Sequence, residues 1–142
     1  MNTILVRSYQ KSDYLALKET LIEGDLFVDT WDDETTLEKR IDDKPDSIVV
    51  AYDNDTVIGC VYLVDDILPF IFRLAVKKNY RKKGVGKMLV DEAIHRLQQH
   101  GHKEIALFVD TKNEHLQSWY RKQGFKGEKS LICLWREIEP ST

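Results

Sequence analysis

Arg81-Lys82-Lys83-Gly84-Val85-Gly86-Lys87 is the stretch on which the fold turns. Four of its seven residues are cationic, and its two glycines are separated by a single residue. Upstream lies an apolar run, Phe70 to Val76, that reads as a strand. Downstream, Val85, Met88, Leu89, Ala93, Ile94 and Leu97 fall on one side of a helix predicted from Gly84 to His100 and ended by Gly101. The stretch therefore joins a buried strand to a long amphipathic helix. Such a junction turns unpaired backbone N–H groups and the positive helix end toward one place. Glycines at 84 and 86 let an anion approach the backbone with no side chain between. Two other phosphate loops are excluded by spacing. A P-loop needs four residues between its glycines and a Ser or Thr after the lysine, whereas Met88 follows Lys87. A dinucleotide fingerprint needs a small residue where Leu89 stands. A basic turn that only caps a helix is the plainer alternative.

On the N-terminal side, Thr3 to Tyr9 alternates as a first strand. Ser12 then stands as N-cap before Leu15, Leu17, Leu21 and Ile22, with Gly24 as a stop. A second helix is predicted over Glu34 to Asp42 after a loop rich in acids and aromatics. Ser47–Tyr52 and Thr56–Val64, joined by Asp53-Asn54-Asp55, form a hairpin that leads to the strand Phe70–Val76. On the C-terminal side come a strand Ile105–Val109, a helix Glu114–Gln123 stopped by Gly124, and a last strand Leu131–Trp135. The order β-α-α-β-β-β-α-β-α-β describes an α+β fold with a mixed sheet and helices packed on it, one domain over residues 1–142.

With 142 residues and 42% hydrophobic content, the chain is long enough for one full core. No apolar run reaches the roughly 18 residues that span a bilayer, and the N-terminus lacks the pattern of a signal peptide. Cys60 and Cys133 both sit in apolar, strand-like runs, without disulfide or metal spacing. They read as two buried thiols in a reducing compartment, which places the protein in the cytoplasm. The net charge of −3 hides a division: residues 1–66 carry −10 and residues 67–142 carry +7. One half suits a cationic partner and the other a polyanion, unless the fold mixes both on a solvated surface.

The segment Leu74-Ala75-Val76, the loop Arg81 to Gly86 and the stretch Asn113 to Phe125 together resemble the GCN5-related N-acetyltransferase family. The family's phosphate loop reads Gln/Arg-x-x-Gly-x-Gly/Ala, matched by Arg81, Gly84 and Gly86; its second motif is matched by Asn113, Tyr120, Gly124 and Phe125. The element order agrees over essentially the whole chain. The resemblance implies a central mixed, mostly antiparallel sheet flanked by about four helices, and acetyl-CoA as co-substrate without a metal. It further implies that the strand ending at Val76 splays from Ile105–Val109, leaving Leu74, Ala75 and Val76 to pair with the pantetheine arm. Backbone amides from Lys82 through Lys83, Gly84, Val85 and Gly86 to Lys87 then hold the pyrophosphate, and Asn113 contacts the cofactor arm. A backbone N–H near Val76 stabilises charge on the thioester oxygen. Tyr120 contacts the cofactor and donates a proton to the departing thiolate. From the residues alone, Asn113 is equally a helix N-cap, and Tyr120 equally a packing residue beside Trp119. Dimers are common in the family, so a homodimer is part of what the resemblance suggests.

The pattern departs from the family where a base is needed. A glutamate often stands on the strand before the loop, where Phe72 and Arg73 occur here, or early in the next strand, where Phe108 occurs. Glu23, Asp25, Asp32, Asp65 and Asp110 are the remaining candidates. Strand alternation puts Arg73 on one face with Ile71 and Ala75, and Phe72 with Leu74 on the other. If the Arg73 face is the acceptor floor, its guanidinium clamps a substrate carboxylate; otherwise it pairs with a nearby Asp. Trp31 and Asp32 line the acceptor entrance in the same reading, with packing as the ordinary role of Trp31. His95, His100, His102 and His115 make no metal set and read as surface residues. The expected reaction is acetyl transfer from acetyl-CoA to the primary amine of a small molecule, resembling a polyamine, an aminoglycoside or an amino acid, in a ternary complex. The rivals are a catalytically weak acyl-CoA sensor and a protein lysine or N-terminal acetyltransferase. Nucleic-acid binding through Lys77, Lys78, Arg81, Lys82, Lys83 and Lys87 is disfavoured by a pI of 5.8 and the lack of an aromatic platform.

Overall fold

A computed structural model of the chain describes residues 3–127 and 130–138. The chain divides into two compact units, Met1–Phe108 and Val109–Thr142. In the first, four strands form one antiparallel sheet in the order β1-β2-β3-β4: Ile4–Ser8, Ile48–Asp53, Thr56–Val64 and Phe70–Val76. Helices α1 (Tyr14–Glu23), α2 (Asp29–Asp32) and α3 (Glu34–Asp43) join β1 to β2, and α4 (Val85–Gln99) follows β4. The short helix α2 was not anticipated from the sequence.

The helix α1 begins at Tyr14 after a tight turn Lys11–Asp13, so Asp13 rather than Ser12 marks its start. Asp13 wins because its carboxylate accepts both Arg7 guanidinium donors, at 2.6 and 2.9 Å, as well as the Gln10 amide at 2.8 Å. Leu17 and Leu21 share one face of α1 and are fully buried with Leu37 of α3 against Ile48, Val50, Cys60 and Tyr62. Each such leucine contributes about 1.5–3 kcal/mol through burial. Asp33 caps α3 by accepting from the Thr36 amide at 3.3 Å. On the opposite sheet face, α4 lies directly over β3 at Gly59. A Cβ there would meet Leu89 Cδ1 at 3.1 Å, the Ala75 carbonyl at 3.2 Å and Val85 Cγ1 at 3.3 Å.

The feature that shapes the sheet edge is a bulge in β4. Cys60 pairs with Ala75 and Tyr62 with Phe72, so both Arg73 and Leu74 stand opposite Val61. Strict alternation therefore fails. Phe72 and Ala75 share the face toward α1 and α3, while Ile71 lies on the other with Leu63. Arg73 takes φ +59°, in the left-handed region that a branched-chain or long residue adopts only under strain.

The predicted strand Ile105–Val109 does not form. Ala106 alone makes a parallel bridge, to Phe70, with Ile71 N–H donating to its carbonyl at 3.1 Å and its own N–H donating to the Pro69 carbonyl at 3.0 Å. The bulge bends β4 immediately afterwards, which stops a second ladder from growing.

The second unit contains α5 (Glu114–Lys122), with Asn113 as its N-cap and Gly124 at φ +96° after its end. The predicted strand Leu131–Trp135 is likewise absent. Leu131, Ile132, Leu134 and Trp135 are exposed and carry no ladder, so their apolar, β-prone composition finds no partner strand among the described residues of this unit. Cys133 lies in that segment and is exposed, against the expectation of two buried thiols; Cys60 is buried. Among the described residues, no helix is long and apolar enough to cross a membrane.

Candidate active site

Two features of the first unit concentrate polar chemistry along β4. At its C-terminal end the chain passes from Val76 through a tight turn, Lys78–Tyr80, into the basic loop. Lys82 (φ +62°) and Gly84 (φ +84°) both reverse the backbone twist, and Gly84 becomes the N-cap of α4 without any side-chain cap. The first amides of α4 are thus left without a side-chain acceptor. The space around Gly84 is open, with no atom within 4 Å of the position a Cβ would take.

Arg81 is folded back rather than extended: its Nε donates to the Val76 carbonyl at 2.9 Å and Nη2 to the Glu23 carbonyl at 3.3 Å. It pins the loop to the end of β4 and the end of α1. Lys83 lies over the Tyr80 ring at 5.5 Å, and Lys87 pairs with Asp91 at 2.6 Å. Leu74, Ala75 and Val76 lie on the strand at the sheet edge, which in this unit has no second ladder beyond the Phe70–Ala106 bridge.

The second feature lies at the bulge. The structure brings Trp31, Asp32 and Arg73 together. Asp32 is fully buried and accepts from the Val28 amide at 2.9 Å and from the Tyr62 hydroxyl at 3.0 Å. Arg73 Nη2 stands 3.2 Å from Asp32 Oδ2, the oxygen that also accepts from Val28, so Arg73 pairs with a nearby Asp, one of the two outcomes that the sequence left open. The guanidinium carbon of Arg73 lies 5.1 Å from the Trp31 ring centroid, and Trp31 is itself exposed. Burial, with the neighbouring Cys60 and Asp32, pushes the Tyr62 hydroxyl well above the usual phenol range, so it stays a donor. Arg40 of α3 completes the group. It donates to the Leu63 carbonyl and lies over the rings of Tyr62 (5.7 Å) and Phe72 (5.5 Å).

The candidate bases separate clearly. Asp32 has its oxygens committed to three donors. Asp65 is held by His100 Nδ1 and His102 Nε2, contacts that lower its pKa, His102 foremost. Glu23 and Asp25 lie at the end of α1, with Asp25 at φ +57°. In the second unit, Asp110 accepts from the Lys112 amide at 2.8 Å.

In that second unit Asn113 accepts from the Leu116 amide at 3.1 Å as helix cap. Tyr120 is buried, edge-on to Trp119 at 5.0 Å and to Phe125 at 5.5 Å. Burial pushes its hydroxyl up to about 12.

Sequence reasoning missed Tyr62, Arg40 and the Asp65–His100–His102 cluster. Tyr62 and Asp32 are 30 residues apart, and no local spacing announces such a pair. Only the His100-Gly101-His102 triplet carried a signal, since Gly101 at φ +89° lets both rings reach one carboxylate.

Comparison with known proteins places this geometry. The family model described as "Acetyltransferase (GNAT) family" matches residues 13–125. N-alpha-acetyltransferase 30 of Schizosaccharomyces pombe is 32% identical over 93 residues, 61% of this chain, and the chain spans 62% of that relative's length. Among solved structures, the PaiA N-acetyltransferase of Thermoplasma acidophilum in complex with coenzyme A superposes with a TM-score of 0.78 at 24% identity, covering 90% of this chain and 92% of that one. Ard1 of Thermoplasma volcanium superposes at 0.75 and 19% identity, covering 87% and 82%. At these identities the two structures speak for the fold.

Proposed function

The chain belongs to the acetyltransferase (GNAT) family, and from that premise we propose that it moves an acetyl group from acetyl-CoA to the primary amine of a small molecule. The carrying observation is the uncapped start of α4 behind a basic, left-handed loop with open space at Gly84. A diphosphate suits such a place: the amides of residues 82–87 are proposed to hold it, and the helix end and the exposed lysines favour its charge. Arg81 holds that loop in shape through the Val76 and Glu23 carbonyls. Leu74, Ala75 and Val76 offer the open edge of β4 to the pantetheine arm.

Acetyl-CoA supplies the acetyl group as a thioester, already activated toward a nitrogen nucleophile. A backbone N–H near Val76 stabilises the charge that gathers on the acyl oxygen. Tyr120 gives its phenolic proton to the departing sulfur. Burial, which pushes the hydroxyl up to about 12, keeps that proton in place near neutral pH. A thiol titrates near 8.5, so the transfer depends on positioning rather than on matched acidity. The acceptor's own proton leaves, directly or through water, to a group other than the familiar glutamates, whose positions are Phe72, Arg73 and Phe108, and other than Asp32, which is fully engaged. Trp31, Asp32 and Arg73 shape the acceptor side.

A protein N-terminus is the second reading, favoured by the relative that is an N-alpha-acetyltransferase. The test is a thermal shift with acetyl-CoA followed by thiol release across amines and N-terminal peptides. Saturation at 100-fold over Kd adds about 2.7 kcal/mol, or roughly 5–10 °C. Thiol release with small amines supports the proposal. Release with peptides alone selects the second reading. Binding without release from any acceptor would leave a sensor.

A further inference from the structure

The group around Tyr62 is short of negative charge. Its hydroxyl donates to Asp32 and its ring lies beneath Arg40, while Arg73 stands on the other side of the same carboxylate. Arg73 is thus paired with this carboxylate, whereas Arg40 contacts the Leu63 carbonyl and two aromatic rings and no carboxylate among the described residues. Arg73 Nε and Arg40 Nε are buried and donate to no acceptor, and Arg73 Nη2 is ion-paired with Asp32 at 3.2 Å without a well-directed hydrogen bond. Asp32, which also accepts from Tyr62 and from the Val28 amide, meets Arg73 only at Nη2 and leaves both Nε atoms without an acceptor. For Arg40, desolvation lowers the pKa and only Tyr62 opposes it, as expected of a buried cation lacking an anion. Buried donors without acceptors are costly and rare, and they call for a partner that the chain itself does not supply. The strained left-handed backbone at Arg73 is a separate observation in the same direction, since strain of this kind collects at binding and catalytic positions.

We propose that Arg73, assisted by Arg40, binds a carboxylate of the acceptor, so that the acceptor is an amino acid rather than a simple amine or polyamine. This rests on the acetyl-transfer reading above. The balance of one Asp against two Arg leaves room for a single negative charge, which a carboxylate supplies and a cationic polyamine opposes. A guanidinium presents paired N–H donors that match the two oxygens of a carboxylate. The strong acidity of residues 1–66 does not contradict this, because Asp32 is the only carboxylate that the structure puts on Arg73 and none contacts Arg40 among the described residues. The exposed indole of Trp31, on the four-residue helix α2, covers Arg73 and is the group that gives way on entry.

The test compares each amino acid with its own methyl ester as acceptor, read by thiol release with acetyl-CoA. Calorimetric titration of both into the protein saturated with coenzyme A reads the same preference without turnover. The free acids are expected to exceed the esters about 10- to 100-fold in kcat/KM, the scale of a charged hydrogen-bonded pair. Arg73→Gln is expected to erase that ratio by raising KM for the acids alone. If Arg73→Gln does not fold, Arg40→Gln carries the same test with a smaller loss. Esters that match or outrun the acids, or a ratio unchanged in the variants, overturn the inference. A peptide with an uncharged first residue that outranks every free amino acid does so as well. An acetyl-CoA thermal shift that stays intact in these cases shows that only the carboxylate assignment has failed; its loss in the native chain would overturn acetyl transfer itself.

Discussion

Replacing Gly84 separates two roles that coincide at one residue. Gly84 holds φ +84° at the start of α4, and nothing lies within 4 Å of where a Cβ would stand. Steric crowding from neighbours therefore contributes nothing; only the local backbone penalty remains. For Gly84→Glu that penalty is about 1–2 kcal/mol, a fall in Tm of roughly 3–8 °C for a chain of this size. Gly84→Asn pays less, because asparagine tolerates the left-handed region. Binding divides the two variants far more sharply. The glutamate places a carboxylate at the uncapped helix start, where the diphosphate is proposed to lie, and like charges there forbid binding. The asparagine side chain is neutral. Differential scanning fluorimetry with and without saturating acetyl-CoA is the assay. The native chain and Gly84→Asn are expected to keep the roughly 5–10 °C coenzyme shift, and Gly84→Glu to lose it. A full shift in Gly84→Glu would refute the assignment of the loop, since no diphosphate could then sit on these amides.

Three further outcomes follow from the geometry. Asp32→Ala leaves the buried Arg73 without its only anion and is expected to cost about 3–5 kcal/mol, roughly 10–20 °C in Tm; Arg73→Met should cost clearly less, because Asp32 keeps Tyr62 and Val28 as donors, and equal losses in thermal melts would contradict that asymmetry. Tyr120→Phe keeps the ring packing against Trp119 and Phe125 and is expected to lower kcat on the order of 10- to 10⁴-fold with the coenzyme shift retained; an unchanged kcat removes the proton-donor role. For Asp65, contacts from His102 and His100 depress the carboxylate below its usual 3.8, so its stabilisation is complete above the unfolded pKa and is lost as pH falls through the depressed folded value. Melting curves across pH should therefore show a deficit in Asp65→Asn that shrinks toward zero as pH falls from about 5 into stronger acid; a deficit that grows in acid would reverse the sign.

Most of the fold was legible because its signals are local. The strands Thr56–Val64 and Phe70–Val76 appear at the bounds that their apolar runs and turns define. The helix α4 starts one residue inside its predicted limit, where Gly84 takes a conformation suited to glycine. The two strands that failed depend on distant partners. Ile105–Val109 and Leu131–Trp135 have β-prone composition, but a strand exists only when another strand presents an open edge in register. The bulge that limits the first of these lies more than thirty residues upstream, at Arg73.

The candidate site divides in the same way. The loop at Gly84 could be read because glycine, charge and a helix start are consecutive in the chain. The group at Asp32 could be suspected only as isolated residues, since its members come from α2, α3, β3 and β4 and meet through the fold. Alternation along β4 misassigned the neighbours of Arg73 because no propensity announces a bulge at a charged residue. Yet that bulge has two consequences that belong together. By adding a residue opposite Val61, it limits the ladder to Ala106 to one bridge and leaves the edge at Leu74–Val76 open. By the same turn of the backbone it directs the Arg73 guanidinium to Asp32 and Trp31. A strand of regular pleat would extend the ladder and send Arg73 to the α4 face with Ile71, against apolar Val85 and Leu89, where its charge would lack any partner. One strained residue thus opens the edge proposed for the coenzyme and sets the charge of the place proposed for the acceptor, so removing the bulge should damage both sites together, whereas a change at Asp32 or Gly84 should damage one.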